Sequence, residues 1–133
     1  MESCIFCKVV KGEAPSWKVF ENERVYAFLD INPATRYHTL VVPKKHATNI
    51  LDVDSEDLQA VMTVVQQLTQ KYRDELGFQD IQIITNAGAV AQQTVFHWHV
   101  HIVPRTIGDG QDIYWRTHPE WRGELDAMLK KLS

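Results

Sequence analysis

Three histidines at alternate positions are the part of this sequence best suited to chemistry. His97, His99 and His101 are separated by single apolar residues, and an apolar stretch follows them. Successive side chains of a β-strand point to opposite faces, so a strand over 97–103 places the three imidazoles on one face. Imidazole is a metal ligand, a nucleophile and an acid–base group near neutral pH. The pattern therefore predicts a site, either a metal centre or a catalytic row.

The composition predicts one globular domain over residues 1–133. The chain has 133 residues, 44% of them hydrophobic and 23% charged, which is enough for a core of its own. Its formal net charge of -3 disfavours a nucleic-acid surface, and no apolar run approaches the length of a membrane span. The first residues lack the basic and apolar regions of a secretory signal. We therefore expect neither a nucleic-acid partner nor a membrane partner.

Two cysteines, Cys4 and Cys7, form a CxxC pair near the start of the chain. A disulfide framework would need more cysteines, so we expect a reducing, cytoplasmic location. A structural zinc site would need two further ligands, and histidines would have to supply them because there is no second CxxC. The pair alone leaves bound zinc and free thiols as equal alternatives. His46 lies in a polar loop and, without a local partner, is interpreted as a surface residue.

Hydrophobic patterning predicts five short strands and three helices. Strands are expected at 19–20, 25–29, 38–43, 81–85 and 97–103, and helices at 5–10, 54–76 and 121–132. In the long helix, apolar residues recur at three- and four-residue steps from Leu58 to Leu76, and Gly77 follows as its cap. Short strands with hairpin-length connections around one long helix predict an α+β fold with an antiparallel sheet.

Two further features are candidates for ligand binding. Asp30 ends the strand over 25–29 beside a turn, where its carboxylate either caps the turn or accepts hydroxyl protons from a ligand. The loop over 86–94 consists of small and amide residues and runs directly into the histidine strand. Such a loop can hold phosphate with its backbone N–H groups, although it lacks the Gly-Lys-Ser/Thr ending of a Walker loop.

With these residues identified, the chain resembles the histidine triad (HIT) superfamily in its Hint-like branch, and is most similar to bacterial HIT proteins with an N-terminal CxxC zinc motif. The blocks that carry the resemblance occur in family order over most of the chain, at 4–8, 27–31, 38–44, 93–95 and 97–103. It implies a HIT-like fold and a hydrolase or nucleotidyl transferase of the purine nucleoside phosphoramidase type. Such an enzyme acts on AMP or GMP derivatives at the α-phosphorus, through a nucleotidyl-histidine intermediate.

The resemblance also implies residue roles. His99 would be the nucleophile, His101 would contact the α-phosphate, and His38 would support the proton network, with Thr94 as the fourth catalytic residue. The implied nucleotide-binding set is Phe6, Val9, Phe28, Leu29, Asp30, Ile31, Asn86, Gln93, Thr94, His99 and His101. Leu29 stands where some relatives carry His, which leaves the base preference open. Thr94 stands where many members carry Ser, so the hydroxyl is kept and a methyl group is added.

The same resemblance assigns the cysteines to a structural Zn²⁺. The implied ligands are Cys4, Cys7, His46 and His97, a Cys₂His₂ set with the four ligands that a closed structural site requires. Because family members are typically homodimers, the resemblance also implies a homodimer here.

Three other functions remain open from the sequence. Gln-Thr-Val before the triad and Pro104-Arg105 after it also fit a dinucleoside polyphosphate hydrolase. A non-catalytic, nucleotide-binding regulatory module is a second alternative, against which the intact catalytic residues argue. A metalloenzyme that uses all three histidines of the triad is the third, and it would leave the two cysteines without a role.

Overall fold

An antiparallel sheet with helices on both faces forms the body of the protein, in a computed structural model that describes residues 3–112 and 114–133. The elements are α1 (Ile5–Val10), β1 (Lys18–Glu21), β2 (Val25–Leu29), β3 (Thr39–Pro43), α2 (Ser55–Leu76), β4 (Asp80–Ile84), β5 (Val100–Arg105) and α3 (Leu125–Leu132). The strands lie in the order β1-β2-β3-β5-β4, each antiparallel to its neighbours. The predicted α+β fold, with its five-stranded sheet, long helix and shorter terminal helices, is confirmed.

The long helix α2 covers one face of the sheet. The Asp54 carboxylate caps its first turn by accepting a backbone N–H at 2.8 Å, and Gly77, with φ of 78°, ends it in the left-handed conformation. Buried residues of α2, including Val61 and Leu68, pack on the inward side chains of β2, β3 and β5. The predicted apolar stripe is therefore core, except at its last position, where Leu76 is exposed.

The opposite face carries α1 and a second, smaller core. Phe6 and Val9 of α1 pack against Tyr26, Phe28 and Leu40 of the sheet. A helix of six residues is not stable in isolation, so this packing is what holds α1 in place. The two cores lie on opposite sides of the strands, as side-chain alternation requires.

The histidine strand begins later than predicted, because β5 starts at Val100 and not at His97. Pro43, which ends the neighbouring strand β3, has no N–H to donate to this segment, and its carbonyl accepts from the His97 ring at 2.8 Å. The backbone N–H of Trp98 donates to the Ala47 carbonyl at 2.7 Å. The predicted alternation still holds, since Trp98 and Val100 lie in the α2 core and the histidines face α1.

The C-terminal helix also begins later than predicted. The stretch Pro119–Glu124, which contains Trp121, is a 3₁₀ turn, and α3 follows it from Leu125. Gly123 lies in this stretch, and glycine is a poor former of α-helix. Among the described residues, no helix combines the length and the apolar character that a membrane crossing requires.

Candidate active site and metal centre

Two of the triad histidines, His99 and His101, line a cavity of about 490 Å³ on the α1 face of the sheet. One wall is apolar and comes from α1, β2 and β3, and the other carries most of the predicted polar residues. The cavity is lined by Ile5, Phe6, Val9, Ala14, Pro15, Ser16, Phe28, Asp30, Ile31, Asn32, Leu40, Thr94, Val95, His99 and His101. A largely apolar cavity with a few convergent polar groups is typical of a small-molecule site.

Three of the predicted nucleotide-binding residues do not line this cavity. Leu29 follows Phe28 in β2, and because neighbouring residues of a strand point to opposite faces, its side chain lies on the other side of the sheet. Asn86 lies in a second cavity, described below. Gln93 is buried in the loop that precedes the triad. Every other member of the predicted set lines the cavity, which supports their assignment as ligand-contacting residues.

Gln93 holds the loop and does not face the cavity. Its amide nitrogen donates to the carbonyls of Thr48 and Val95, at 2.7 and 3.1 Å, and its amide oxygen accepts from the N–H of Gly88 at 2.8 Å. Since these bonds engage both ends of the carboxamide, its role is to position the loop that carries Thr94.

His99 presents one free ring nitrogen to the cavity. Its Nδ1–H donates to the His97 carbonyl at 2.7 Å, so the lone pair of the neutral ring lies on Nε2. The Thr85 hydroxyl donates to the His99 carbonyl at 2.8 Å, and the edge-on ring of Phe6 lies 5.1 Å away between centroids. Burial lowers the pKa of His99, which keeps the ring neutral at pH 7. A neutral imidazole oriented in this way can act as a nucleophile.

A chain of hydrogen bonds sets the protonation of His101. The backbone N–H of Ala34 donates to His38 Nδ1 at 3.0 Å, so the neutral His38 ring carries its proton on Nε2 and donates it to His101 Nδ1 at 2.9 Å. His101 therefore keeps its own proton on Nε2, where it can donate to a phosphate oxygen. Burial lowers the pKa of both rings, that of His101 to about 4, and the neighbouring His99 acts in the same direction.

Asp30 stabilises a turn and also lines the cavity. One carboxylate oxygen accepts the N–H of Asn32 at 2.8 Å and stabilises the turn, while the other lies 3.6 Å from His38 Nε2. The side chain also lines the cavity, where it is placed to accept hydroxyl protons from a ligand.

Four side chains from three separate segments, one of them the first histidine of the triad, lie close together. Cys4, Cys7, His46 and His97 offer donor atoms that lie within 4.8 Å of one another. Each cysteine Sγ is 3.4 Å from a histidine Nδ1, and the two Nδ1 atoms are 3.3 Å apart. Tetrahedral zinc with ordinary bond lengths would separate sulfur from nitrogen by about 3.6 Å and nitrogen from nitrogen by about 3.3 Å. The donor set therefore has the size and the chemistry of a Cys₂His₂ zinc site.

The surroundings of this cluster also suit a metal. His97 Nε2–H donates to the Pro43 carbonyl, which directs the Nδ1 lone pair toward the cysteines. Burial lowers the pKa of His97 to about 4, so the ring is neutral, as a ligand must be. Burial and the neighbouring Cys4 raise the pKa of the Cys7 thiol, so its thiolate form needs a cation. The interpretation of His46 as a surface residue is wrong, because its ring belongs to this cluster.

The geometry also separates the roles of the triad histidines. The Nδ1 of His97 faces the cysteines, whereas the Nδ1 of His99 is occupied by a carbonyl and that of His101 by His38. The three rings therefore do not converge on one metal, and the metalloenzyme alternative receives no support.

A second cavity of about 220 Å³ adjoins the first and shares Thr94 and His101 with it. Its other lining residues are Ala34, His38, Gln82, Ile84, Asn86, Gln92, Val103 and Gln111. Of these, sequence reasoning identified Asn86 and His38 individually, and Gln92 only as part of the loop over 86–94. Gln82 and Gln111 belong to no motif, so no local signal marks them as neighbours of this loop.

Arg105, the charged residue after the triad, is engaged elsewhere. Its guanidinium donates to Asp109 at 2.8 Å and to Asp112 at 2.9 Å, and it also donates to the side-chain oxygen of Gln82. It is not among the residues that line either cavity. Two carboxylates therefore neutralise the cation that a polyphosphate substrate would need.

Comparison with known proteins agrees with this geometry. A Bacillus subtilis protein named Protein hit is 42% identical over 120 residues, which cover 90% of this chain and 83% of the relative. An adenosine 5′-monophosphoramidase of Schizosaccharomyces pombe is 34% identical over 132 residues, which cover 98% and 96% of the two chains. The crystal structure of a Zn-bound histidine triad family protein from Mycobacterium smegmatis is 36% identical, with a TM-score of 0.79 and 99% of each chain covered. The sequence model of the HIT domain matches residues 11–107. Since that match spans most of the chain, the protein belongs to the HIT domain family, as the triad and its neighbouring blocks predicted.

Proposed function

We propose that this protein is a nucleotide hydrolase of the phosphoramidase type, which releases AMP or GMP from purine nucleoside phosphoramidates. The observation that carries the proposal is the His99 Nδ1–H bond to the His97 carbonyl at 2.7 Å, because it leaves Nε2 as a nucleophile beside a cavity of nucleoside size. The S. pombe relative supports the same activity through its name.

Successive regions of the cavity match the base, the ribose and the phosphate of such a substrate. The apolar wall around Phe6, Phe28 and Ile31 would hold the base, and Asp30 would accept hydrogen bonds from the ribose hydroxyls. The α-phosphate would then lie against His99, where His101 Nε2–H and the Thr94 hydroxyl donate to its oxygens.

The reaction proceeds in two displacements at the α-phosphorus. His99 Nε2 forms a bond to phosphorus as the P–N bond breaks, and the electron pair of that bond goes to the leaving nitrogen. The nitrogen takes one proton, which Thr94 and His101 are placed to relay from solvent, and the amine departs neutral. A water oxygen then bonds to phosphorus, the bond to His99 breaks with its electron pair returning to Nε2, and the two water protons are released to solvent.

We also propose that the Cys₂His₂ cluster holds a structural Zn²⁺. The donor separations support this, and the M. smegmatis relative is described as Zn-bound. The metal would have no ligand position left for substrate, so it would supply stability and not catalysis. The zinc ion would connect α1 to the segment that carries the triad.

A dinucleoside polyphosphate hydrolase is the alternative that this structure favours less. A polyphosphate carries several negative charges, and such substrates are bound by Lys, Arg or Mg²⁺. Within the described part of the chain, no Lys or Arg lines either cavity, and Arg105 is neutralised by its two carboxylates. A regulatory module without turnover stays a further alternative, which the assay below would detect.

We further propose a homodimer, in which a second copy pairs along β4. This strand is at an edge of the sheet, and Ile83, on its α2-facing side, remains 42% exposed. An apolar edge strand favours pairing with another chain. The single domain over residues 1–133 and the cytoplasmic location stay predictions.

The first test is the His99→Ala variant, assayed with adenosine 5′-phosphoramidate while zinc content is measured in the same sample. We expect kcat/KM to fall by about three orders of magnitude, since the nucleophile is lost, with zinc retained. His118→Ala is the matched control, because this half-buried histidine lies outside both cavities. Quenching the wild type in alkaline denaturant, where the P–N bond of a nucleotidyl-histidine is stable, should trap a nucleotide adduct on His99.

Retained turnover in His99→Ala would exclude the nucleophilic role. Loss of zinc together with activity would instead favour a catalytic metal. Faster turnover of a dinucleoside polyphosphate than of the phosphoramidate would move the assignment to the alternative hydrolase.

A further inference from the structure

The second cavity lies where the group released from phosphorus must go. In an in-line displacement, the nucleophile and the leaving group are on opposite sides of the phosphorus atom. His99 lines the first cavity and not the second, whereas Thr94 and His101 line both. A phosphate held at this junction, with His99 attacking from the side of the first cavity, therefore directs its leaving group into the second.

The described walls of the second cavity carry no formal charge. Among the residues that the structure describes, the lining includes no Lys, Arg, Asp or Glu. The two histidines that line it, His38 and His101, are neutral at pH 7, because burial lowers the pKa of both. The floor is apolar and comes from Ile84 and Val103.

Carboxamides supply the hydrogen-bonding capacity of the cavity. The Gln82 oxygen accepts from Arg105, which leaves its N–H₂ group to donate. The Gln111 nitrogen donates to the Ala34 carbonyl at 3.3 Å, which leaves its oxygen to accept. Gln92 is exposed at the rim, on the left-handed turn that follows Ala89–Ala91. The cavity therefore offers both donors and acceptors to a bound group, but no counter-charge.

A charged leaving group would be disfavoured in this cavity. Moving an anion from water into a site without an opposite charge costs more free energy than moving a neutral polar group there. Amide side chains can form the hydrogen bonds that a neutral polar group needs. The Arg105 guanidinium contacts the wall residue Gln82, and Asp109 and Asp112 already neutralise it. The volume of about 220 Å³ also limits the size of the group.

We propose that the second cavity is the leaving-group subsite, and that it selects compact, uncharged amine leaving groups which carry an amide, over amines with a free carboxylate and over polyphosphate chains. This inference rests on the proposed phosphoramidase function and names its substrate class. The closest chemical model is an adenosine 5′-phosphoramidate whose amine is an amino-acid amide.

Two substrates that differ only in charge test the selectivity. Adenosine 5′-phosphoramidates of alaninamide and of alanine are compared by kcat/KM in the wild type, Gln92→Lys and Gln92→Glu. We expect Gln92→Lys to lower the alaninamide-to-alanine ratio by about three- to tenfold, and Gln92→Glu to raise it by a similar factor, as one partly exposed charge would. Comparing variants removes the intrinsic difference in reactivity between the two substrates.

Gln66→Lys is the matched control, since it makes the same change on the exposed surface of α2. Its ratio should equal that of the wild type. The subsite assignment is overturned if the ratio is the same in the wild type, Gln92→Lys and Gln92→Glu. It is also overturned if the wild type prefers the substrate with the free carboxylate and Gln92→Lys does not increase that preference.

A binding measurement separates this inference from the proposed function. In His99→Ala protein the two phosphoramidates stay intact, and calorimetry gives their Kd values with and without the Gln92 substitutions. If the wild type hydrolyses neither compound, the phosphoramidase function fails, yet a Kd ratio that shifts with the charge at position 92 still supports the subsite. If the Kd ratio does not change with the Gln92 substitutions, the subsite is excluded, whether or not the wild type hydrolyses the two compounds.

Discussion

Each triad histidine meets a different hydrogen-bond partner, and the partner decides which ring nitrogen carries the proton. His97 donates through Nε2 to a carbonyl and His99 through Nδ1 to another, while His101 accepts at Nδ1 from His38. The three residues are equivalent in the alternating sequence pattern. They differ in the fold because their neighbours come from β3, from the triad backbone and from the segment before β3.

Burial of His101 predicts a loss of stability in mild acid. Its folded pKa of about 4 lies below the ordinary value near 6.5, so the unfolded chain binds more protons between these limits. The free energy of unfolding should therefore be largest above pH 6.5 and should fall as the pH is lowered toward 4, by at most about 2 kcal/mol per histidine between pH 6.5 and 5. Urea denaturation at several pH values measures this.

His101→Asn tests the source of that dependence. The variant removes the titrating ring that faces His38, His99 and Asp30, so its stability should depend less on pH below 6.5 than that of the wild type. Equal acid sensitivity in the two proteins would assign the effect to other groups.

At the scale of elements, the short helix α1 contacts both the Cys₂His₂ cluster and the cavity. Cys4 caps the helix by accepting the N–H of Cys7 at 3.3 Å, and both side chains reach the histidine cluster. The same helix supplies Phe6 and Val9 to the first cavity. One helix of six residues therefore joins the Cys₂His₂ cluster to a wall of that cavity.

The Cys4→Ser variant should lose zinc and stability together. Serine keeps an oxygen that can cap the helix but is a poor zinc ligand, so the change isolates the metal contribution. We expect substoichiometric zinc by elemental analysis and a free energy of unfolding lower by on the order of 2–4 kcal/mol. Lys8→Ala, at an exposed position of α1, should retain zinc. Stoichiometric zinc in Cys4→Ser would show that the ligand set is wrong.

At the scale of the whole molecule, the unpaired edge at β4 predicts the mode of self-association. Ile83→Lys places a charge on the apolar side of that strand and should convert a dimer to a monomer at micromolar concentration. Light scattering after gel filtration measures the mass. Leu51→Lys, at an exposed loop position, is the control and should leave the mass unchanged. A wild type that is already monomeric at these concentrations would refute the homodimer.

Local pattern and family resemblance identified much of this protein before its fold was known. Alternation predicted the opposed faces of Trp98 and His99, helical spacing predicted α2, and the resemblance selected the four residues that meet in the zinc-like cluster. These predictions succeed because strand and helix periodicity depend only on neighbours along the chain. The late start of β5 was not predictable, since it depends on how Pro43 meets the triad segment across the sheet.

Tertiary structure alone decided the details on which chemistry depends. The free nitrogen of His99 depends on which atom the His97 backbone presents, and the orientation of the Gln93 carboxamide depends on the carbonyl of Thr48, in a distant segment. The second cavity exists because Gln82, Gln92 and Gln111 meet across three separate parts of the chain. The sequence by itself determined which reactive groups are present and which face they share. Only the fold determined their protonation and neighbours, because hydrogen bonds and burial arise between residues that are distant in sequence.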